Sequence, residues 1–229
     1  MKTIIRTLTV IYFLIGLIYI LTENCASAFT RHIIKGSIIP FLIIILLITL
    51  KNNLKGINLL LLAGLLFSWA GDIVLDFTFV PGLACFLVAQ LMYLTAFFLT
   101  PGENVILRGK AYLIIPVLFA GAALIYVLYD DLGGMKLPVI VYAVVILTML
   151  ASAINRLRKV NRLSYYLVLT GAILFVLSDS AIAINRFTRD FNYSESVIMS
   201  TYLAAQYLIV TGYIKGTTNY NSGDDYSEK

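Results

Sequence analysis

Apolar residues run along this chain in long, nearly unbroken blocks. They show neither the strict alternation of a half-buried strand nor the ten-residue pattern of a membrane β-barrel. Blocks of about 17–25 apolar residues are the length of a membrane-crossing helix. Eight of them can be drawn, at 4–21, 33–50, 57–76, 82–99, 111–129, 136–155, 163–185 and 196–214. Polar and turn-forming residues separate them: Thr22-Glu23-Asn24, Lys51-Asn52-Asn53, Pro81-Gly82, Pro101-Gly102-Glu103, Asp130-Asp131-Leu132-Gly133-Gly134 and the basic run Arg156 to Arg162. The pattern predicts an all-α, polytopic membrane bundle of eight transmembrane helices. It forms a single domain over 1–215, with a polar tail at 216–229 expected to be disordered.

Composition agrees. Of 229 residues, 60% are hydrophobic and 13% charged, and the mean hydropathy is +0.92. A soluble domain carries about twice that charged fraction. The net charge of +5 does not point to nucleic acid, because the basic residues sit in short clusters between apolar blocks instead of on one solvated face. Cys25 and Cys85 lack CxxC spacing, and with the single His32 they make no metal set, so both cysteines are expected as small packing residues and no cofactor is implied.

The first block competes with a secretory signal, since Lys2 and Arg6 precede it and Ala26-Ser27-Ala28 follows. Its apolar run exceeds the usual ~7–15 residues of a signal, and Glu23-Asn24 interrupts the approach to the cleavage site, which favours a retained helix. With eight helices, Arg31, Lys35, Lys136, Arg186 and Arg189 fall on one side and the other twelve of the 17 Lys and Arg residues on the opposite side. The positive-inside rule then makes both termini cytoplasmic, in what is expected to be a bacterial inner membrane. A weak internal repeat is also visible. Gly64 and Gly171 each precede an aspartate by eight residues, and the next helix in each case holds an Ala-Gln pair, at 89–90 and 205–206. This suggests a parallel 4+4 arrangement.

An ionisable group within a membrane span costs roughly 2.5–3.5 kcal/mol on insertion scales and is a functional candidate by default. Helices 2, 4, 5, 6 and 8 carry no acid or base away from their ends; helix 3 carries Asp72 and helix 7 carries Asp179. At 1.5 Å per residue these lie about 6 and 9 Å from the outer ends of their helices. Lys35, Asn185 and Arg186 reach the same layer, and Gln90, Tyr93, Tyr202 and Gln206 lie deeper, so a polar chamber opening outward would collect them. A purely structural role is the competing reading: the acids pair with Lys35 or Arg186, Asp76 reaches the interface, and Trp69 and the tyrosines serve as packing or belt residues. Two carboxyls in a poorly hydrated pocket favour acid–base chemistry, one held protonated as general acid and the other ionised as base.

Gly64-Leu-Leu-Phe-Ser-Trp-Ala-Gly-Asp72, the stretch Gly82 to Tyr93, the stretch Gly171 to Phe187 with Ser178-Asp179-Ser180, and Tyr202-Leu-Ala-Ala-Gln206 together resemble helices 3, 4, 7 and 8 of the YhhN family, the lysoplasmalogenases. The resemblance implies an eight-helix membrane enzyme that hydrolyses the vinyl ether of a lysophospholipid without a metal, yielding a fatty aldehyde and a glycerophospho-alcohol. It implies Asp72 and Asp179 as the catalytic pair. Lys35 resembles the family's helix-2 lysine, and Lys35, Gln90, Tyr93, Asn185, Arg186, Tyr202 and Gln206 are the candidate substrate contacts. The implied partners are a lysophospholipid, water and the surrounding lipid. The family tends to place Pro after that lysine and His at the position of Gln90, where this chain has Gly36 and Gln90.

The chief alternative is a proton-coupled transporter with Asp72 and Asp179 as relay, although helices 3 and 7 lack the internal Pro of a broken helix. An intramembrane aspartyl protease would carry Gly-x-Gly-Asp where this chain reads Trp-Ala-Gly-Asp72, and Pro-Ala-Leu where it reads Pro81-Gly-Leu. A retinal protein would need a mid-span lysine in helix 7. A structural or lipid-binding bundle would need none of this chemistry.

Overall fold

A computed structural model describes residues 1–23, 25–51, 53–102, 104, 109 and 111–221. Among these residues it forms eight α-helices: α1 (Lys2–Leu21), α2 (Ala28–Leu50), α3 (Ile57–Leu75), α4 (Phe79–Phe98), α5 (Ile115–Leu128), α6 (Lys136–Ile154), α7 (Arg162–Phe187) and α8 (Ser194–Asn221). Short 3-10 turns at Ala111–Ile114 and Gly133–Met135 lead into α5 and α6. Among the described residues, eight segments are long and apolar enough to cross a membrane. Large apolar side chains such as Leu14, Ile44, Leu66, Phe119 and Leu177 cover the outside. An apolar exterior around a buried interior is the inverse of a water-soluble bundle, and the chain is a multi-pass integral membrane protein.

Seven helices close a ring. Around it α1 packs on α2, then α3, α4, α6, α7 and α8, which returns to α1. Helix α5 stands outside, against α6 and α7. The tightest pairs are α3–α4 and α7–α8, and glycines let them approach. A Cβ on Gly82 would lie 2.5 Å from the Leu75 Cα, and one on Gly171 would lie 2.9 Å from the Ala205 carbonyl oxygen. Helix α1 belongs to this packing: Tyr12 donates from its hydroxyl to the Leu203 carbonyl at 2.8 Å, and Gly16 faces Leu203.

The boundaries follow local chemistry. Helix α2 begins five residues before the expected position because Ser27 caps it, accepting from the Thr30 amide at 3.3 Å. Pro40 sits inside α2 and has no N–H to offer the Gly36 carbonyl one turn back. Trp69 of α3 supplies the missing donor, its indole Nε1 lying 2.6 Å from that oxygen. A buried carbonyl left without a donor is costly, so Trp69 repairs α2 while pinning it to α3. Helix α8 continues to Asn221, past the Gly216 at which the sequence reading began a tail, and residues 222–229 lie outside the described residues. Cys25 is exposed in the turn between α1 and α2 instead of packed, while Cys85 is half-buried.

Candidate active site

Each helix brings its polar residues inward on the same stripe as its core residues. On α3 the buried positions Asn58, Leu61, Gly64, Leu65, Ser68, Gly71 and Asp72 repeat at three and four residues, so Asp72 is carried inward by an otherwise apolar seam. Helix α4 does the same with Phe86, Gln90, Tyr93 and Phe97, and α8 with Met199, Tyr202, Gln206 and Tyr213. Asp179 follows the buried Phe175 and Ser178 on α7 and is itself half-buried.

These stripes meet in a cleft of about 260 Å³ at the end of the bundle where α3 finishes and α8 begins. Asp72 and Asp179 both line it, with Lys35, Asn185 and Tyr202 from the sequence reading. Asp72 is 4% exposed and accepts a hydrogen bond from the Tyr202 hydroxyl at 2.8 Å. Behind Tyr202 the polar chain continues, since Gln206 Nε2 donates to the Tyr202 oxygen at 3.3 Å and Tyr93 donates to Gln206 Oε1 at 2.9 Å. Tyr93 and Gln206 therefore stand behind the wall of the cleft. Gln90 is fully buried, and neither of its amide atoms has a hydrogen-bond partner among the described residues.

Two expected placements change. Lys35 makes its ion pair with Asp76, Nζ to Oδ1 at 2.5 Å, and His32 Nδ1 lies 2.7 Å from the other Asp76 oxygen. The structural pairing proposed for the buried acids thus belongs to Asp76, and Lys35 borders the cleft already compensated. Arg186 is exposed and lies over the Phe79 ring, 5.3 Å from its centroid, outside the cleft lining. Asn185, the residue before it on α7, lines the cleft instead.

Sequence reasoning missed Tyr142, whose hydroxyl donates to Asp179 Oδ2. A signal for it existed. Tyr142 is the one tyrosine in α6 and lies six residues from its start, about 9 Å deep, the depth estimated for Asp179. Glu23 and Glu195 were also missed as cleft residues because they lie at helix ends. Glu195 is held by Arg31 and by the Tyr19 hydroxyl, and Glu23 accepts from Ser196 Oγ at 2.6 Å.

Asp179 also lines two apolar pockets. One, of about 50 Å³, lies between Phe79, Phe86, Val139 and Phe187; the other, of about 390 Å³, runs between α5, α6 and α7. One carboxyl thus faces a polar cleft and a lipid-like groove at once. Among the described residues, no group of three His, Cys, Asp or Glu side chains is placed to hold a metal ion.

Residues 30–213 match the model of the YhhN family. The chain belongs to the YhhN family. Curated relatives include human (Homo sapiens) lysoplasmalogenase TMEM86B, 33% identical over 156 residues, a match covering 67% of this chain and 63% of that protein. Lysoplasmalogenase TMEM86A of Bos taurus is 35% identical over 154 residues, covering 64% and 61%. The lysoplasmalogenase of Mycobacterium tuberculosis is 31% identical over 163 residues, covering 68% and 60%. The chain thus spans a little over three fifths of the length of these relatives. No solved structure matches it significantly. Within the YhhN family match lie Lys35, Asp72, Tyr142, Asp179 and Tyr202, every residue of the acid pair and its tyrosine partners.

Proposed function

We propose that this chain is a membrane hydrolase that cleaves the vinyl ether of a lysoplasmalogen, with Asp72 and Asp179 as its acid–base pair. The observation that carries the reading is the convergence of two membrane aspartates on one cleft, each held by a tyrosine hydroxyl, in a member of a family whose curated relatives are named lysoplasmalogenases. Vinyl ether hydrolysis asks for what such a pair offers. A protonated carboxyl delivers its proton to the alkene carbon farther from the ether oxygen, leaving an oxocarbenium ion. Water adds to the carbon bearing oxygen and yields its proton to the second carboxylate. The hemiacetal collapses as its hydroxyl proton passes to the departing glyceryl oxygen, giving aldehyde and alcohol. The charge relations resemble those of glycoside cleavage by paired carboxyls.

Surroundings divide the roles. Asp179 borders the apolar pockets, where the alkenyl chain would lie, so it is the proton donor. Tyr142 occupies Oδ2, leaving Oδ1 to carry the proton. Asp72 lines the polar cleft with its Oδ2 held by the Tyr202 hydroxyl, and it orients the water. Glu23 and Glu195 place negative charge at the same mouth as Lys35, which suits a headgroup carrying an ammonium beside its phosphate. The cleft opens at the end opposite the Lys/Arg-rich loops, so by the positive-inside rule it faces the non-cytoplasmic leaflet. Helices α3 and α7 run unbroken through the bundle, unlike the interrupted helices of many transporters.

The test is aldehyde release from an alkenyl lysophospholipid, with its alkyl and acyl analogues as controls. Wild type should release aldehyde from the alkenyl lipid alone. Asp72→Asn and Asp179→Asn should each lose about a hundredfold or more, the usual worth of a positioned acid or base. Near-normal rates in either variant would overturn the pairing, and an inactive, monodisperse wild type would overturn the activity.

A further inference from the structure

A second cleft, of about 210 Å³, lies at the opposite end of the bundle, where α3 begins and α6 gives way to α7. Its lining includes Arg156, Lys159 and Lys55 and no acidic residue among those described. Asn58, on that lining, is fourteen residues from Asp72 on the same helix, so the two sites are about 21 Å apart along the axis.

Arg156 is the unusual member. It is 1% exposed, among the largest fully buried side chains of the protein, and no carboxylate among the described residues pairs with it. One terminal nitrogen donates to Ser164 Oγ at 3.2 Å, whereas Nε and the other terminal nitrogen have no hydrogen-bond partner among the described residues. The rings of Phe97 and Tyr213, with centroids 5.5 and 5.9 Å from its Cζ, offset part of the charge. Burial pushes the guanidinium down to about 10 while Tyr213 pulls it upward, so it remains charged at neutral pH. A buried cation with four of its five N–H groups unused is expensive unless an anion joins it.

The fold holds the residue there. Arg158 adopts a left-handed conformation (φ 67°) in the turn after α6, and Asn161 caps α7 by accepting from the Ser164 amide at 2.8 Å. Gly216 of α8 leaves room beside the guanidinium, since a Cβ there would lie 3.2 Å from its terminal nitrogen. Lys159 is braced over the cleft by Asn104 Oδ1 at 2.8 Å and the Phe98 carbonyl at 3.3 Å, and Lys55 is exposed at the mouth.

We propose that this cleft binds a phosphate-bearing anion, with Arg156 as its buried cation and Lys159 and Lys55 drawing the anion in. Three cations and spare guanidinium N–H groups on the lining match a tetrahedral group of several acceptor oxygens. The phosphate can come from a membrane lipid headgroup or from a free phosphorylated solute. The site is independent of the hydrolase reading, since it shares no residue with the aspartate cleft.

The experiment uses the full chain in a neutral detergent and follows its thermal unfolding against two probes. These are inorganic phosphate, titrated against chloride at constant ionic strength, and dioctanoyl phosphatidic acid, titrated against dioctanoylglycerol. A saturable rise in Tm is expected with at least one probe. Inorganic phosphate acting as well as the lipid identifies a free anion, and phosphatidic acid acting alone identifies a headgroup; both support the site. Arg156→Met should abolish the rise. Should that variant fail to fold, Lys55→Gln/Lys159→Gln carries the test and should weaken binding about tenfold. Lys35→Gln, in the other cleft, should leave binding unchanged. No rise with either probe, an equal rise in the Arg156 and double-lysine variants, or loss of the rise in Lys35→Gln would overturn the proposal.

Discussion

Each membrane aspartate is held by one phenol from another helix, Asp72 by Tyr202 and Asp179 by Tyr142. A hydroxyl donated to one carboxylate oxygen fixes which oxygen faces the cleft and lowers the cost of charge on the group. Under the proposed chemistry Tyr142 is a positioning residue, since it acts through Asp179. Tyr142→Phe keeps the ring and removes the donor. We expect it to slow aldehyde release from the alkenyl lysophospholipid by roughly one order of magnitude with little change in KM, as a hydrogen bond to a charged group is worth about 1.5–3 kcal/mol. Steady-state kinetics in nanodiscs would check this; a raised KM with kcat unchanged would show that Tyr142 holds substrate and not the acid. The aspartates were legible in the sequence because charge inside an apolar block is rare. The tyrosines were not, because a membrane chain uses tyrosine for belts and packing as readily as for hydrogen bonds.

Helices in this protein are joined by local repairs as well as by shape. Pro40 orphans the Gly36 carbonyl within α2, and the Trp69 indole of α3 occupies it. Trp69→Phe should therefore lower stability by about 1–3 kcal/mol, the cost of an unsatisfied buried acceptor, beyond any loss of contact area. In a Pro40→Ala background the backbone regains its own donor, so the same substitution should cost clearly less. A double-mutant cycle on detergent unfolding curves measures the difference; additive effects would mean that the indole bond carries no such role. Helix existence and order were readable from block length. Helix ends were less so, and α2 and α8 both extend beyond their apolar blocks because capping and packing, not hydropathy, decide where a helix stops.

At the scale of the molecule the two clefts lie at opposite ends of one ring, the acidic pair at one and the buried Arg156 at the other. By the positive-inside rule, a membrane-impermeant maleimide should label the exposed Cys25, at the aspartate end, in intact cells carrying Cys85→Ser. A cysteine placed at Asn161 should label only after permeabilisation, and the reverse pattern would invert the proposed topology. The sequence by itself determined that this is an eight-helix membrane bundle and which acids were out of place in it. Those facts depend on transfer free energy, which is a property of each segment alone. Tertiary structure decided the rest. It took Lys35 to Asp76, turned Arg186 outward, gave Tyr142 to Asp179 and buried Arg156 with no counter-charge among the described residues. Such pairings depend on the rotation of each helix about its axis and on which neighbour it meets across the ring, and in near-uniformly apolar helices no amphipathic face records either.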